Sequence, residues 1–302
     1  MMYKIEKILR DPYYVIGWYL KKNHPRLMSD KYFLKVVWKH YMGYDLNLKI
    51  PQTFNEKLQW LKLYDRKPIY SLLVDKIRVK EYISSIVGSQ YTVPTLATYL
   101  NTKEISFYNL PDSFVLKCNH DSGSTIICKD KSVFDFTRAA KFLDAKLQQD
   151  YYLVAREWPY KDVPRKIIAE PLLYNKEQSP IIDYKLMVFN GSVKCLFVCT
   201  NRNTDPGLNV TFFDTDWKRL PFERKYPSDK NIIERPVSFK EMISIAELLC
   251  QGIPFSRVDF YEIDSHPVVG EITLYPGAGY EPFIPDTWDR TLGDWLILPS
   301  IT

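Results

Sequence analysis

The sequence predicts an α+β fold of helices and antiparallel hairpins arranged in two lobes. Apolar residues recur at helical spacing near the N-terminus, in Tyr32, Phe33, Val36, Val37, Trp38 and Tyr41. Pairs of β-rich runs are joined by turn residues at Asn190-Gly191 and at Asp264-Ser265-His266-Pro267. The buried run Ile167 to Leu173 is interrupted by Pro171, which has no N–H to continue a central strand and so marks a boundary between lobes.

A chain of 302 residues, 46% hydrophobic and 25% charged, is long enough to bury one large core or two smaller ones. The formal charge of +5, from 41 basic and 36 acidic residues, is too mild to imply a nucleic-acid partner and is compatible with an anionic ligand such as a nucleotide. Cys118, Cys128, Cys195, Cys199 and Cys250 form neither an even set nor a CxxC pair, which reads as reduced core thiols in a cytoplasmic protein. The apolar run Tyr13 to Leu20 is far shorter than the roughly 20 residues a membrane span requires, and no cleavable signal is recognisable. The basic and aromatic stretch Lys4 to Lys22 reads as packing against the main domain, with peripheral contact at the inner face of a membrane as the alternative.

In chain order, Phe54, Leu58, Leu61 and Leu63 predict a helix capped by Thr53. Ile77, Tyr82, Ile83 and Ile86 predict the next, stopping at Gly88, with Lys76 near its start. Phe114 to Cys118 and Ile126 to Cys128 read as strands around the polar loop Asn119 to Thr125. Such a loop forms a flap whose free backbone N–H groups can cradle phosphate, with Lys117 as a fixed positive charge beside them. A helix follows over Phe134 to Asp150, then the Ile167 strand. Beyond Pro171, strands are expected at Ile181 to Phe189, Val193 to Thr200 and Phe212 to Trp217. A helix over Phe239 to Cys250 leads into the Arg257 to Thr273 hairpin, and a closing helix spans Thr291 to Leu298.

The C-terminal hairpin carries the chemistry. Alternation puts Arg257, Asp259 and Tyr261 on one face and groups Val269, Glu271 and Thr273, so one sheet face gathers Arg257, Asp259, Glu271 and Thr273. Two carboxylates and a hydroxyl suit a hard divalent ion such as Mg²⁺. A solvated hairpin with charged outer positions would read the same way in isolation.

The order of these features resembles the ATP-grasp superfamily, including the D-alanine:D-alanine ligases, and most closely its teichuronopeptide-biosynthesis (TupA-like) branch. The resemblance runs over residues 30 to 285. It is carried by Thr53-Phe54-Asn55-Glu56-Lys57-Leu58-Gln59-Trp60, Val74-Asp75-Lys76, Lys117-Cys118-Asn119-His120-Asp121-Ser122-Gly123, Asp183-Tyr184-Lys185 and Arg257-Val258-Asp259-Phe260-Tyr261.

The resemblance implies an ATP-grasp fold in three parts. Residues 1–75 form a helical N-terminal region, 76–171 the N-terminal lobe with its leading helix, and 172–302 the C-terminal lobe with the metal site. It implies that Lys76, Lys117 and Lys185 bind phosphates, and that Ser122, Gly123 and Ser124 form the flap over them. Glu170, Leu172 and Leu173 would hold adenine, Asp183 the ribose, Asp259, Glu271 and Thr273 the Mg²⁺, and Arg257 the reacting oxyanion. His120 reads either as a phosphate contact or as a hydrogen-bonded loop histidine; His24, His40 and His266 lack metal-ligand spacing. The last metal position, usually Asn in the family, is Thr273. The first 75 residues read helical where many relatives carry a Rossmann-like domain that helps hold the acceptor, which leaves the acceptor site unplaced.

The activity implied is ATP-dependent carboxylate–amine ligation through an acyl phosphate, joining an amino acid or peptide to a sugar acid of bacterial surface polysaccharide. The partners are a carboxylate acceptor and an amine donor, with no nucleic acid. The rivals are a nucleotide-sugar glycosyltransferase, supported by Asp214-Thr215-Asp216, an ATP-grasp kinase, and a non-catalytic assembly subunit. The Asp-x-Asp also reads as a turn cap between Phe213 and Trp217.

Overall fold

A computed structural model describes residues 12–174, 181–201 and 207–300. The N-terminal segment is helical: α1 (Pro12–Asn23), α2 (Asp30–Met42), α3 (Phe54–Tyr64), α4 (Ile69–Val74) and α5 (Arg78–Ile86). The Ser29 hydroxyl accepts from the Tyr32 N–H to start α2, and Gly43 ends it in the left-handed region at φ 82°. Thr53 and Glu56 form a reciprocal capping box at the start of α3. The helix expected around Ile77 begins at Arg78, just after Lys76. Asp75 is extended, and its carboxylate accepts from the Ile77 N–H and from Asn119 Nδ2, which draws the chain out of helical geometry before α5 begins.

The first sheet comprises β1 (Ala97–Tyr99), β2 (Phe114–Cys118), β3 (Ile126–Cys128) and β4 (Ile167–Pro171), antiparallel in the order β1-β4-β2-β3. Between β3 and β4 lie α6 (Phe136–Gln148), capped by Asp135, and the short α7 (Tyr152–Ala155). Alternation sorts this sheet. Phe114, Leu116, Cys118, Ile167 and Ala169 pack with Leu143 and Leu147 of α6 in one core. Val115, Lys117, Ile127 and Glu170 project from the other face, since Val115 pairs with both Glu170 and Ile127.

The second sheet contains β5 (Asp183–Phe189), β6 (Ser192–Thr200), β7 (Asn209–Phe213), β9 (Phe255–Ile263) and β10 (His266–Thr273), in the order β10-β9-β5-β6-β7, all antiparallel. The short β8 (Glu223–Arg224) pairs with β11 (Phe283–Ile284). The helix α8 (Phe239–Leu249) lies between β8 and β9, and α9 (Thr287–Trp295) closes the chain, beginning four residues earlier than periodicity suggested. Asn190-Gly191 has φ 48° and 84°, and Asp264-Ser265 has φ 51° and 67°, the positive pairs that tight hairpins need. Asp214 receives the Asp216 and Lys218 N–H groups, so the Asp-x-Asp tripeptide is a turn cap.

The N-terminal helices belong to the second sheet's core. Phe33, Trp38, Phe54, Leu58, Val79 and Ile83 pack in one cluster with Leu186, Val188, Val258 and Phe260. The Phe54 ring sits 4.8 Å from that of Phe255 and 5.7 Å from that of Phe189. The leading helix α5 therefore packs with the C-terminal lobe, and Tyr82 donates to the Leu249 carbonyl at 2.8 Å. Trp18 and Leu20 lie against the same core, and the Trp18 and His40 rings stack 4.0 Å apart. Of the Lys4 to Lys22 stretch, the residues before Pro12 lie outside the described residues. All five cysteines are buried and free, and among the described residues no helix is long and apolar enough to cross a membrane.

Candidate active site

The outward faces of the two sheets meet at a cleft of about 550 Å³. From β2, the flap and β4 come Val115, Lys117, Ser122, Gly123, Thr125, Ile127 and Glu170; from β5, β9 and β10 come Asp183, Lys185, Asp259, Tyr261, Gly270 and Glu271. Lys76, just before α5, lines one end, and Pro171 to Leu173, the segment that leaves β4, line the other.

Register explains the acidic floor. Asp259 of β9 stands opposite Glu271 of β10 and Lys185 of β5, and Thr273 stands opposite Arg257. Arg257 forks onto both oxygens of Asp259, with Nε 2.6 Å from Oδ1 and a terminal nitrogen 2.7 Å from Oδ2. The same nitrogen reaches Glu271 Oε1 and Thr273 Oγ1, each at 3.1 Å. Lys185 donates to Asp259 Oδ2. Burial opposes charge on Arg257, yet Asp259 and Glu271 outweigh it and hold the guanidinium charged. Burial also pushes the Glu271 carboxyl up, but Arg257, Lys185, Lys76 and Lys117 together bring it down to about 2.

One departure from simple alternation shapes this floor. The β10 register shifts between Val269 and Glu271, so Val269 pairs with Phe260 in the core and does not share the face of Glu271, as strict period-two spacing had placed it. Gly270 occupies the bulge because the Tyr261 ring lies against it. A Cβ there would come within 2.9 Å of Tyr261 Cε2.

Across the cleft the lysines are held by the first lobe. Lys117 Nζ lies 2.7 Å from Glu170 Oε2, and Lys80 Nζ lies 2.6 Å from Oε1 of the same carboxylate. Burial raises the Glu170 pKa, but the two ammonium groups prevail and keep it low. Lys76 donates to the Asp121 carbonyl at the base of the flap. The flap is anchored by Asn119, which donates to Asp75 Oδ1 and the Pro164 carbonyl, each at 2.9 Å, and accepts from the Lys166 N–H at 2.7 Å.

Of the residues expected at the site, Lys76, Lys117, Ser122, Gly123, Glu170, Leu172, Leu173, Asp183, Lys185, Asp259 and Glu271 line this one cleft. Four other expected residues lie behind this surface. Ser124 points inward, accepting from the Cys118 N–H at 2.8 Å and donating to Asp121, so its hydroxyl braces the flap. His120 is 1% exposed beneath the loop, where burial lowers its pKa; neither ring nitrogen finds a partner among the described residues. Arg257 and Thr273 back the carboxylates: Arg257 Nε and one terminal nitrogen donate to Asp259, and that same nitrogen reaches Glu271 and Thr273. Sequence reasoning missed Lys80, Val115, Ile127 and Tyr261. The period-two partnership of Val115 with Lys117, and of Tyr261 with Asp259, was the signal for two of them.

An all-oxygen pair of carboxylates on adjacent strands, with lysines on both sides, suits a hard divalent cation shared with phosphate. Among the described residues no larger cluster of His, Cys, Asp or Glu converges.

Comparison with known proteins gives a consistent neighbourhood. The family model described as TupA-like ATPgrasp matches residues 56–297. A D-alanine--D-alanine ligase of Rhodococcus erythropolis is 29% identical over 147 residues, which are 45% of this chain and 36% of that protein, so the match spans about a third of the relative's length. Among solved structures, D-alanine--D-alanine ligase from Bacillus anthracis complexed with ATP is 16% identical with a TM-score of 0.38, covering 67% of this chain and 54% of that one. A RimK domain ATP-grasp protein from Sphaerobacter thermophilus is 13% identical with a TM-score of 0.40, covering 77% and 70%.

Proposed function

We propose, from the premise that this chain belongs to the TupA-like ATP-grasp family, that it is an ATP-dependent carboxylate–amine ligase working through an acyl phosphate. One observation carries the reading. The Asp259–Glu271 pair and Lys185 on one sheet face Lys76, Lys117 and the Ser122–Gly123 flap of the other across one cleft. The apolar lining, Val93, Val115, Ile127, Leu172, Leu173 and Ile181, suits a purine base, and Asp183 would hold the ribose. The cationic end suits a triphosphate, with the lysines opposing its charge and the flap supplying backbone N–H groups.

Asp259 and Glu271, with Thr273 behind them, would hold Mg²⁺, which when bound offsets charge on the transferring phosphoryl group. A substrate carboxylate attacks the γ-phosphorus, ADP departs with the bridging electron pair, and an amine then displaces phosphate from the acyl carbon. No protein nucleophile is needed, so catalysis rests on placement and electrostatics. Arg257 contributes by fixing the two carboxylates. The substrates proposed are an amino acid or peptide and a sugar acid of a bacterial surface polysaccharide.

A thermal-shift comparison tests the nucleotide. Mg-ATP at about one hundred times its Kd adds about 2.7 kcal/mol of stability, whereas UDP-sugars add none. The reverse result favours the glycosyltransferase reading. Phosphate release from Mg-ATP that depends on both a uronic or amino acid carboxylate and an added amine supports the ligase; phosphate retained on a stable product identifies a kinase.

A further inference from the structure

A second cavity, of about 350 Å³, lies in the N-terminal helical region and shares no lining residue with the cleft described above. It is lined by Lys31 and Lys35 of α2, by Lys49 in the loop that follows α2, and by Tyr64 at the end of α3. Leu46 and Leu48 complete it; they are 7% and 9% exposed, whereas the lysines and Tyr64 are exposed. The cavity thus has an apolar floor and a cationic rim.

Local structure sets the three charges together. Lys31 and Lys35 stand one turn apart on the same face of α2. Asn47 fixes the third: its Oδ1 accepts from the Lys49 N–H at 3.2 Å and the Ile50 N–H at 3.1 Å, and its Nδ2 donates to the Ile50 carbonyl at 2.9 Å. This tight turn presents Lys49 to the same cavity as the helix lysines. Among the described residues no carboxylate lines the cavity, and the three ammonium groups form no ion pair or hydrogen bond. The acids that flank these lysines in the chain are committed elsewhere. Asp30 lies 2.6 Å from Arg66 and 3.5 Å from Arg156, and Asp45 lies 2.7 Å from Lys39. A concavity lined by one sign of charge concentrates ligands of the opposite sign.

The layout of charge and apolar surface indicates which ligand. Cations on two segments, a helical turn apart on one of them, match a molecule with several anionic groups better than a single compact anion. The leucine floor and the Tyr64 ring suit the C–H faces of sugar rings and offer nothing to inorganic phosphate. We propose that this cavity is a second binding site, which anchors an oligosaccharide of sugar acids by pairing its carboxylates with Lys31, Lys35 and Lys49 and laying a ring against Tyr64. This deepens the ligase reading, on which the choice of sugar acid over other organic anions rests.

Calorimetric titration of the full chain with galacturonic acid oligomers tests the site, with neutral maltose oligomers as control. The acidic oligomer is expected to bind, more weakly as salt is added, and the neutral one not to bind. The combined variant Lys31→Gln, Lys35→Gln, Lys49→Gln should lose about tenfold in affinity for the acidic oligomer. The variant Lys103→Gln, Lys194→Gln, Lys240→Gln, with the same net charge and the cavity intact, should match wild type. Both should bind a fluorescent ATP analogue with Mg²⁺ as wild type does. No binding of the acidic oligomer by wild type, or equal loss in the two variants, overturns the proposal. So does tighter binding of pyrophosphate, or of vesicles of phosphatidylglycerol and phosphatidylcholine, that is lost with the cavity lysines. Wild type that binds the acidic oligomer through these lysines but no ATP analogue supports this site and overturns the ligase reading alone.

Discussion

Asn119 Nδ2 lies 2.9 Å from Asp75 Oδ1, and this contact joins two sequence phrases more than forty residues apart. The same side chain also engages Pro164 and Lys166, so it ties the entry to α5, the flap and the start of β4 into one knot. Lys76 and Lys117 are neighbours of that knot in the chain. The Asn119→Ala variant should lose about 3 kcal/mol of stability, because it leaves Asp75 and two backbone groups short of partners. It should also weaken ATP binding, since the flap is no longer referenced to Lys76. Urea unfolding and nucleotide titration check both; wild-type stability would show that the knot is dispensable.

Gly270 and Tyr261 form a second coupled pair. Gly270→Ala places a methyl 2.9 Å from the Tyr261 ring, which must then swing into the cleft. ATP affinity should drop about tenfold, roughly 1.4 kcal/mol. In a Tyr261→Ala background the same alanine has nothing to meet and should be nearly neutral for binding. A double-mutant cycle that instead adds without interaction would contradict the clash.

The acid response of the cleft follows from Glu271, which lines it and whose carboxyl is held down to about 2 by Arg257, Lys185, Lys76 and Lys117. An unfolded glutamate takes up its proton near pH 4.3 on the model-peptide scale, roughly. The native state thus refuses a proton that the unfolded chain accepts. The contribution is fully present above the unfolded value and is lost as pH falls toward 2. Glu271→Gln should be less stable than wild type near neutrality and converge with it in strong acid, with ATP turnover abolished throughout. Denaturant midpoints collected down the pH scale test this; parallel curves would mean that Glu271 is not held ionised.

Two flap serines separate a bracing role from a binding role. Ser124→Ala removes the bonds to Cys118 and Asp121 and should cost about 1 to 2 kcal/mol of stability. Ser122 lines the cleft, so Ser122→Ala should leave stability nearly unchanged and raise the Kd for ATP. Exchange of these two phenotypes would reverse their assigned orientations.

These serines also show what the sequence could convey. Asp259 and Glu271 were legible as charged residues of one hairpin, but counting back from the Asp264–Ser265 turn puts Gly270 opposite Asp259, and it is the extra residue at the bulge that brings Glu271 there. Lys117 was legible as a charge at the strand end beside the flap, whereas Lys185 was placed only by the family resemblance. The orientation of Ser124 and His120 was hidden, since residues inside and outside a polar loop have the same composition. The bulge at Gly270 was hidden too, because it depends on where the Tyr261 ring lies. Docking of the N-terminal helices onto the second sheet was beyond periodicity, which gives the apolar face of a helix and not its partner.

Lys62 is the strongest test of that docking. It is 0% exposed on α3, and its ammonium donates to Gln59 Oε1 at 3.1 Å, the Ala155 carbonyl at 3.0 Å and the Ala278 carbonyl at 2.8 Å. It therefore ties the N-terminal helices to the residue before the Arg156–Glu157 loop and to the turn that follows β10. Burial lowers its pKa, and Glu157 partly restores it. Removing the ammonium strands Gln59 Oε1 and the Ala155 carbonyl, since Ala278 still accepts from Gln59 Nε2 at 3.0 Å, and takes away the cation that opposes the rise of the Glu157 pKa. Lys62→Ala should cost about 3 to 5 kcal/mol, whereas Lys62→Met, which keeps the apolar stem, should cost less. In the methionine variant the Glu157 carboxyl, deprived of the cation that opposes its burial, should titrate at higher pH while ATP binding stays unchanged. Calorimetry across the pH scale reads both outcomes, and a pH dependence of stability that matches wild type would mean that Lys62 supports the loop without setting the charge state of Glu157.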